Sequence, residues 1–262
     1  TFGRVGHGYT YPDFAARFQY TTPNVNGFQA AIGVFDPSTI SGISVQNLAN
    51  VPPGTGGLLD EANSPRFEGE LSYSTSFTGG NVKLWVDGLW QDVESSCNGP
   101  SGRFDATSGL QIQCGDITAS AWGAGGKVGF QAFEVVGYYH DNTGLGLTGQ
   151  FNQNAIQTTA AGMVEARDGG GYYVQGTYTF SGKTKVGVSY GEGTVDAVTN
   201  GGVGLNGVST ELTRSMWTVG VYHDVSSWLR LVAEFNQGEV DAHTNAPNPQ
   251  AETFSVGGFL FW

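Results

Sequence analysis

The chain has 262 residues, of which 39% are hydrophobic, 13% are charged and 42 are glycine. Soluble globular domains contain about 45–50% apolar and about 25% charged residues, so this composition is unusual for one. The aromatic content of 13% argues against disorder, and the net charge of −12 argues against nucleic-acid binding, which requires basic surface. No segment has the roughly 20 consecutive apolar residues of a membrane helix, so a closed β-barrel is the remaining route across a bilayer.

Apolar and polar residues alternate with period two along most of the chain, which is typical of β-strands with two different faces. Each alternating segment is close to the 9–11 residues with which a tilted strand crosses a bilayer. We therefore predict an all-β fold without amphipathic helices. The eleven predicted strands cover residues 14–22, 28–35, 66–77, 82–92, 118–130, 132–140, 171–180, 184–191, 213–225, 229–237 and 253–262.

The connections between these strands alternate between very short and long. The short ones are at residues 23–27, 78–81, 130–132, 181–183 and 226–228. The long ones are rich in Gly, Asn, Pro and Ser, and they are at residues 37–65, 93–117, 141–170, 192–212 and 238–252. Short periplasmic turns and long external loops indicate a transmembrane antiparallel β-barrel of the outer-membrane type.

The two faces of the predicted strands differ in polarity. In residues 67–77 the odd positions are Phe, Gly, Leu, Tyr, Thr and Phe, and the even positions are Glu, Glu, Ser, Ser and Ser. A soluble barrel would bury the apolar set, but an interior with so few large residues would pack poorly. Aromatic residues at strand ends fit the interfacial girdles of a membrane barrel. These are Phe67, Phe77, Trp90, Phe130, Phe180, Trp217, Trp228 and Trp262.

The strand count is odd, whereas single-chain bacterial barrels have even counts. An open sheet edge cannot lie in lipid with unpaired backbone groups. Either the count is wrong, or strands that precede Thr1 are absent from this sequence.

Two stretches near the start resemble proteobacterial trimeric porins. Gly3-Arg4-Val5-Gly6 is similar to the Gly-Arg-Val/Ile-Gly stretch that closes the constriction loop in that family. The run from Arg17 to Pro23, followed by Gly27-Phe28, is similar to the strand and tight turn that come next. The resemblance implies that residues 1–13 are the end of the constriction loop. Residues 14–262 would then be the C-terminal part of a single barrel domain, with strands six to sixteen of sixteen.

The C-terminal residues resemble the assembly signal of the same barrels. A polar residue, a glycine and alternating apolar residues lead to a terminal aromatic, at Ser255, Gly257, Leu260 and Trp262. Family members more often end in Phe, so Trp262 is a departure. The resemblance implies a homotrimer in the bacterial outer membrane, in contact with lipid and lipopolysaccharide, through which small polar solutes and ions diffuse passively.

Charged residues at alternating strand positions are expected to line the lumen of this barrel, where facing rows of opposite charge favour polar solutes. Arg4 and Arg17 would lie nearest the constriction by the family resemblance. The alternative is that many of these side chains pair with each other in the wall. The candidates are Arg4, Arg17, Arg66, Glu68, Glu70, Lys83, Asp87, Lys127, Glu134, Lys185, Arg214, Arg230 and Glu234.

The two cysteines, Cys97 and Cys114, have neither CxxC spacing nor a nearby histidine, so we expect a disulfide rather than a zinc site. A disulfide implies an oxidising compartment such as the periplasm or cell surface. The four histidines are scattered without metal-binding spacing, so we expect no metal and no cofactor.

Two short motifs suggest chemistry, but their contexts do not fit. Residues 187–191 match the G-x-S-x-G elbow of hydrolases, yet they lie inside an alternating strand rather than at a strand-to-helix turn. Residues 144–149 match G-x-G-x-x-G without a βαβ unit around them. We expect a diffusion pore without catalytic residues. An anchoring barrel with a plugged lumen and an outer-membrane hydrolase with a Ser-His pair remain as alternatives.

Overall fold

Alternating apolar and polar residues form long antiparallel strands in the computed structural model of this chain. The structure describes residues 6–38, 40, 45–46, 64–93, 104–105, 116–151, 154–158, 164–197, 211–243 and 247–262. The strands are β1 (Arg17–Thr21), β2 (Phe28–Phe35), β3 (Val45–Gln46), β4 (Arg66–Phe77), β5 (Gly80–Val93), β6 (Phe104–Asp105), β7 (Ile117–Phe130), β8 (Phe133–Thr143), β9 (Ile156–Thr158), β10 (Val164–Ala166), β11 (Asp168–Phe180), β12 (Thr184–Val195), β13 (Leu212–Asp224), β14 (Leu229–Asp241) and β15 (Gln250–Leu260).

Eleven of these strands form one antiparallel sheet in the order β1-β2-β4-β5-β7-β8-β11-β12-β13-β14-β15. Each long strand pairs with the long strand before and after it in the chain, as hairpin connections dictate. The predicted all-β fold and the eleven long strands are confirmed. The short strands form two separate pairs, β3 with β6 and β9 with β10, within the long connections.

Several strands are longer at the loop end than the alternation predicts. β8 continues to Thr143, β12 to Val195 and β14 to Asp241. Polar residues and glycines lie on both faces of these extensions, so the two faces no longer differ in polarity, although the backbone hydrogen bonds between strands continue. The period-two alternation therefore predicts only the part of each strand whose two faces have different environments.

Tight turns join the strands at the opposite end of the sheet. Between β7 and β8, Gln131 adopts φ 53° and its amide donates to the Gly79 carbonyl at 2.8 Å. The neighbouring turn between β4 and β5 has Gly79 at φ 82°, a conformation that favours glycine. The hydrogen bond between these two adjacent turns links the β4–β5 hairpin to the β7–β8 hairpin.

One face of the sheet, here called the apolar face, exposes large hydrophobic side chains. Leu71, Val86 and Val188 each expose half of their surface or more. Aromatic pairs stand at both ends of this face, including Phe77 with Phe130 at 6.4 Å and Phe67 with Trp90 at 6.1 Å between ring centroids. Exposed apolar area of this extent is unusual in water and matches a lipid-facing band with aromatic girdles. Within its described residues the chain has no helix of the length and apolarity needed to span a membrane.

Candidate functional site

The opposite side of the sheet, here called the polar face, carries the charged residues that the alternation selected. The pairing register aligns twelve of them on this one face across the sheet. They are Arg17, Arg66, Glu68, Glu70, Lys83, Asp87, Lys127, Glu134, Lys185, Arg214, Arg230 and Glu234. Arg4 lies outside the described residues, as do Cys97 and Cys114, so the disulfide stays a prediction.

Several of these charges form ion pairs along the wall. Lys127 Nζ lies 2.8 Å from Glu134 Oε2, and Lys83 Nζ lies 3.7 Å from Glu70 Oε1. Near the turn end, Arg230 Nε donates to Asp224 Oδ1 at 2.6 Å. These side chains thus pair with each other along the polar face and still remain between one third and one half exposed.

Arg66 is the most enclosed charge on the polar face, with no exposed surface. Its guanidinium lies 3.2 Å from Asp13 Oδ2 and 3.0 Å from Glu68 Oε1. It also stacks on two rings, at 4.8 Å from the centroid of Phe35 and 5.2 Å from that of Phe151. Arg66 thereby joins the wall to the chain segments that precede β1 and follow β8.

The residues after β2 fold onto the polar face instead of leaving it. The Ser38 amide donates to Gln91 Oε1 at 3.0 Å, and Gln91 Nε2 donates to the Ser38 carbonyl at 2.6 Å. The Ser38 hydroxyl donates to the Asp13 carboxylate. Gln91 is fully buried, so this reciprocal pair fixes the connection against β5.

Two further segments, residues 6–13 and 144–151, lie side by side over the polar face. The Tyr11 amide donates to the Thr148 carbonyl at 2.8 Å, and the Gln150 amide donates to the Tyr11 carbonyl at 2.9 Å. A β-carbon on Gly8 would lie 2.0 Å from the Tyr172 carbonyl oxygen, and Gly8 has φ 80°, so glycine is required at this contact. Residues 144–149, which match G-x-G-x-x-G, thus lie over the polar face, where Thr148 accepts a backbone hydrogen bond from Tyr11.

The 144–151 segment brings apolar side chains to the loop end of the polar face. Leu145 and Phe151 pack with Leu89, Val93 and other buried residues in one hydrophobic cluster. This packing holds residues 144–151 against the polar face of the sheet. Sequence reasoning assigned residues 141–170 to an external loop, and the leucines within its glycine run were the available signal.

Arg167, between β10 and β11, anchors this region to the end of β12. Its side chain is buried and donates to the Asp196 carbonyl at 2.8 Å and to the Val195 carbonyl at 3.3 Å. Burial lowers the pKa of Arg167, and nearby Asp196 opposes that shift. Burial and the carboxylates of Glu211 and Asp168 raise the pKa of Asp196.

A cavity of about 620 Å³ lies between the two inward segments and the polar face of β1, β2, β4, β5, β7, β8 and β11. Its lining includes three carboxylates, Glu68, Glu70 and Asp87, and one arginine, Arg17. Aromatic side chains supply much of the remaining wall, namely Tyr9, Trp85, Tyr138 and Tyr173. Sequence reasoning selected the charges and missed these aromatic residues, although strand parity places Trp85, Tyr138 and Tyr173 on the same face.

Glycines of β7 make room for these rings. A β-carbon on Gly125 would lie 2.1 Å from the Trp85 indole, and one on Gly123 would lie 2.1 Å from the Tyr138 hydroxyl. The Tyr138 hydroxyl donates to Asp87 Oδ1 at 2.9 Å. The Trp85 and Tyr138 rings are near-parallel, at 14° and 6.3 Å between centroids.

The motifs with catalytic associations have no catalytic geometry in the described part of the chain. Ser189 lies in the middle of β12 on the polar face, where it pairs with Thr218 across the sheet. Among the described residues no group of three or more His, Cys, Asp or Glu side chains could hold a metal ion.

A sheet with a lipid-compatible apolar face, a charged opposite face and chain segments folded over the charged side is typical of a transmembrane β-barrel of the outer-membrane type. The sequence profile of Gram-negative porin matches residues 2–243. The chain belongs to the Gram-negative porin family, and its location is the bacterial outer membrane.

Solved structures share the fold at low sequence identity. The outer membrane channel DcaP of Acinetobacter baumannii matches with a TM-score of 0.65 and 12% identity, over 98% of this chain and 65% of that one. OprB of Pseudomonas putida matches with a TM-score of 0.53 and 10% identity, over 93% of this chain and 57% of that one. The trimer form of OmpT from Vibrio cholerae matches with a TM-score of 0.52 and 14% identity, over 94% of this chain and 64% of that one.

The chain thus spans less than two thirds of the length of each of these three structures. A comparison with curated proteins finds no significant match.

Proposed function

We propose that the chain forms the wall of a water-filled channel through which small hydrophilic solutes and ions diffuse passively. The observation that carries this proposal is the opposite polarity of the two faces across eleven paired strands. Charged and polar side chains on one face support a hydrated lumen, and exposed Leu, Val and aromatic side chains on the other suit lipid. The driving force is the solute gradient alone, and no catalytic step or cofactor takes part.

The test is conductance across a planar lipid bilayer in potassium chloride, with protein purified from outer membranes. A diffusion pore gives stepwise insertions, each with a current proportional to voltage. Insertion of the protein into the bilayer without such steps would contradict the proposal.

The polar face supplies the proposed lumen lining, including the twelve aligned charges and, by family resemblance, Arg4. Residues 1–13 are proposed as the end of the constriction loop, and residues 14–262 as part of a single sixteen-stranded barrel. The contacts of Gly8 with Tyr172 and of Asp13 with Arg66 support an inward position for the first segment. A complete gene sequence with five further strands before Thr1 would agree with this count.

A homotrimer is proposed by analogy with the trimer form of the Vibrio cholerae protein. Lipid and lipopolysaccharide are the proposed neighbours of the apolar face, because its exposed side chains need an apolar surrounding. Native mass spectrometry in mild detergent measures both, as the mass of the assembly and of the lipids that remain bound.

The C-terminal strand is proposed to direct assembly. Ser255 and Gly257 lie on the polar face of β15, whereas Leu260 lies opposite Leu229 and Trp262 is fully exposed. Replacement of Trp262 by Ser should reduce the amount of folded protein in outer membranes more than replacement by Phe does.

A further inference from the structure

The aromatic side chains in the 620 Å³ cavity form a continuous wall beside Asp87. Trp85 and Tyr138 are near-parallel, and Tyr173 follows at 5.9 Å from Tyr138 between ring centroids. Tyr9 closes the row, at 6.0 Å from Tyr173, from the segment that covers the polar face. The rings of Trp85 and Tyr138 occupy the space that side chains at Gly125 and Gly123 would fill, so they lie low against the sheet. Lys83 Nζ lies 5.8 Å from the centroid of the Trp85 ring, and both rings line the cavity.

Asp87 differs from the other carboxylates that line this cavity. Glu68 pairs with Arg66 at 3.0 Å, and Glu70 pairs with Lys83 at 3.7 Å. Within the described residues, Asp87 has no ion pair with a lysine or arginine, and the Tyr138 hydroxyl is its hydrogen-bond donor. A negative charge without a cationic partner therefore borders a row of aromatic rings.

This combination has a specific chemical preference. The faces of aromatic rings attract cations, most strongly when the cation is a soft organic ammonium that loses little hydration. A carboxylate beside the rings adds Coulomb attraction in a partly enclosed, low-dielectric place. A neutral solute of the same shape would gain only the apolar contact.

We propose that Asp87, Trp85, Tyr138 and Tyr173 form a binding site for small organic cations with an ammonium group. The site would slow their passage relative to neutral solutes of equal size. This inference rests on the proposed channel function and specifies one solute class for the lumen. The cavity volume of about 620 Å³ leaves space for a quaternary ammonium group together with a short substituent.

The probe is choline, compared with 3,3-dimethylbutan-1-ol, a neutral solute of the same shape. Each is added to protein conducting potassium chloride in a planar bilayer. Choline should reduce the potassium current in a saturable, voltage-dependent manner, with a half-blocking concentration roughly tenfold below that of the neutral alcohol.

Three variants assign the effect to the site. Asp87→Asn keeps a hydrogen-bond acceptor for Tyr138 and removes the charge, and Trp85→Leu removes a ring. Each should raise the half-blocking concentration of choline roughly three- to tenfold. The matched control is Asp92→Asn, on the same strand but on the apolar face, where Asp92 accepts from the Thr118 hydroxyl at 2.9 Å. It makes the same change in net charge and should leave the block unchanged.

Calorimetric titration of choline into detergent-solubilised protein measures binding without conductance. Normal potassium steps with equal effects of choline and the alcohol, and no binding heat, would overturn this inference and leave the channel function intact. A protein that never conducts would contradict the channel function, and the calorimetric comparison of wild type with Asp87→Asn would then decide this inference. If Asp87→Asn loses its β-structure, the same choline measurements on Trp85→Leu decide the inference.

Discussion

The Tyr138 hydroxyl on β8 donates a hydrogen bond to Asp87 Oδ1 on β5 at 2.9 Å, across the intervening strand β7. The contact ties together strands that are not neighbours in the sheet. Tyr138→Phe should lower the free energy of unfolding by about 1 kcal/mol, the typical net contribution of one hydrogen bond, because lumen water replaces part of it.

The measurement is the urea midpoint in detergent, followed by tryptophan fluorescence. Tyr178→Phe is the control, since Tyr178 lies on the apolar face and contacts the rings of Phe133 and Phe180. Equal midpoint shifts for the two variants would show that the hydroxyl of Tyr138 has no special role.

Gly125 provides the space in which the Trp85 indole lies. Gly125→Ala would place a β-carbon 2.1 Å from that ring, so the ring must move. We expect a loss of about 1–3 kcal/mol in unfolding free energy, as for other overpacked sites. Gly176→Ala is the matched control because its β-carbon would meet nothing within 4 Å. A Gly125→Ala protein as stable as the control would contradict the packing that we describe around Trp85.

Period two was sufficient to predict the sheet because most strand positions have one of two environments. It gave the eleven strands and the charged residues of the polar face. Alternation also places Trp85 on the polar face, but a selection of charged residues alone missed it, and the space for its ring depends on Gly125 in β7, which is distant in sequence. The inward position of residues 144–151 was also missed, since it depends on contacts of Leu145 and Phe151 with other strands.

Among the charged residues of the polar face, Arg66 is the one whose removal should lower the free energy of unfolding most. Arg66→Gln leaves Asp13 and Glu68 without their partner, but these keep 33% and 29% exposure. We expect a loss of about 2–3 kcal/mol, below the 3–5 kcal/mol typical of fully buried pairs. Because Arg66 also fixes Asp13 to the wall, the open-channel current should become noisier.

Lys127→Gln is the comparison for Arg66→Gln, since the Lys127 and Glu134 side chains are 40% and 33% exposed. Its cost should not exceed about 1 kcal/mol, the usual limit for exposed pairs. If both variants lost the same stability and gave equally quiet currents, the anchoring role assigned to Arg66 would be wrong.

Neighbouring residues of β11 should differ in their tolerance of charge. Val174 lies on the apolar face and Gln175 on the polar face, where it lines the cavity. Val174→Arg should cost about 2–4 kcal/mol, as a charge near the bilayer midplane does. Gln175→Arg should fold normally, because its side chain meets water. The yield of folded protein in outer membranes and the urea midpoint measure both effects. A larger loss for Gln175→Arg than for Val174→Arg would show that the two faces are assigned the wrong way round.

The central claim is that the polar face lines a conducting lumen and the apolar face contacts lipid. The most direct test compares the accessibility of one residue on each face while the channel conducts. Glu70 and Leu71 are adjacent in β4 and lie on the polar and the apolar face respectively. Glu70→Cys and Leu71→Cys channels are treated in a planar bilayer with a charged, water-soluble methanethiosulfonate reagent, with the wild-type protein as background. A lumen lined by the polar face predicts a stepwise fall in conductance for Glu70→Cys and none for Leu71→Cys. Equal responses of the two variants, or a response of Leu71→Cys alone, would contradict it.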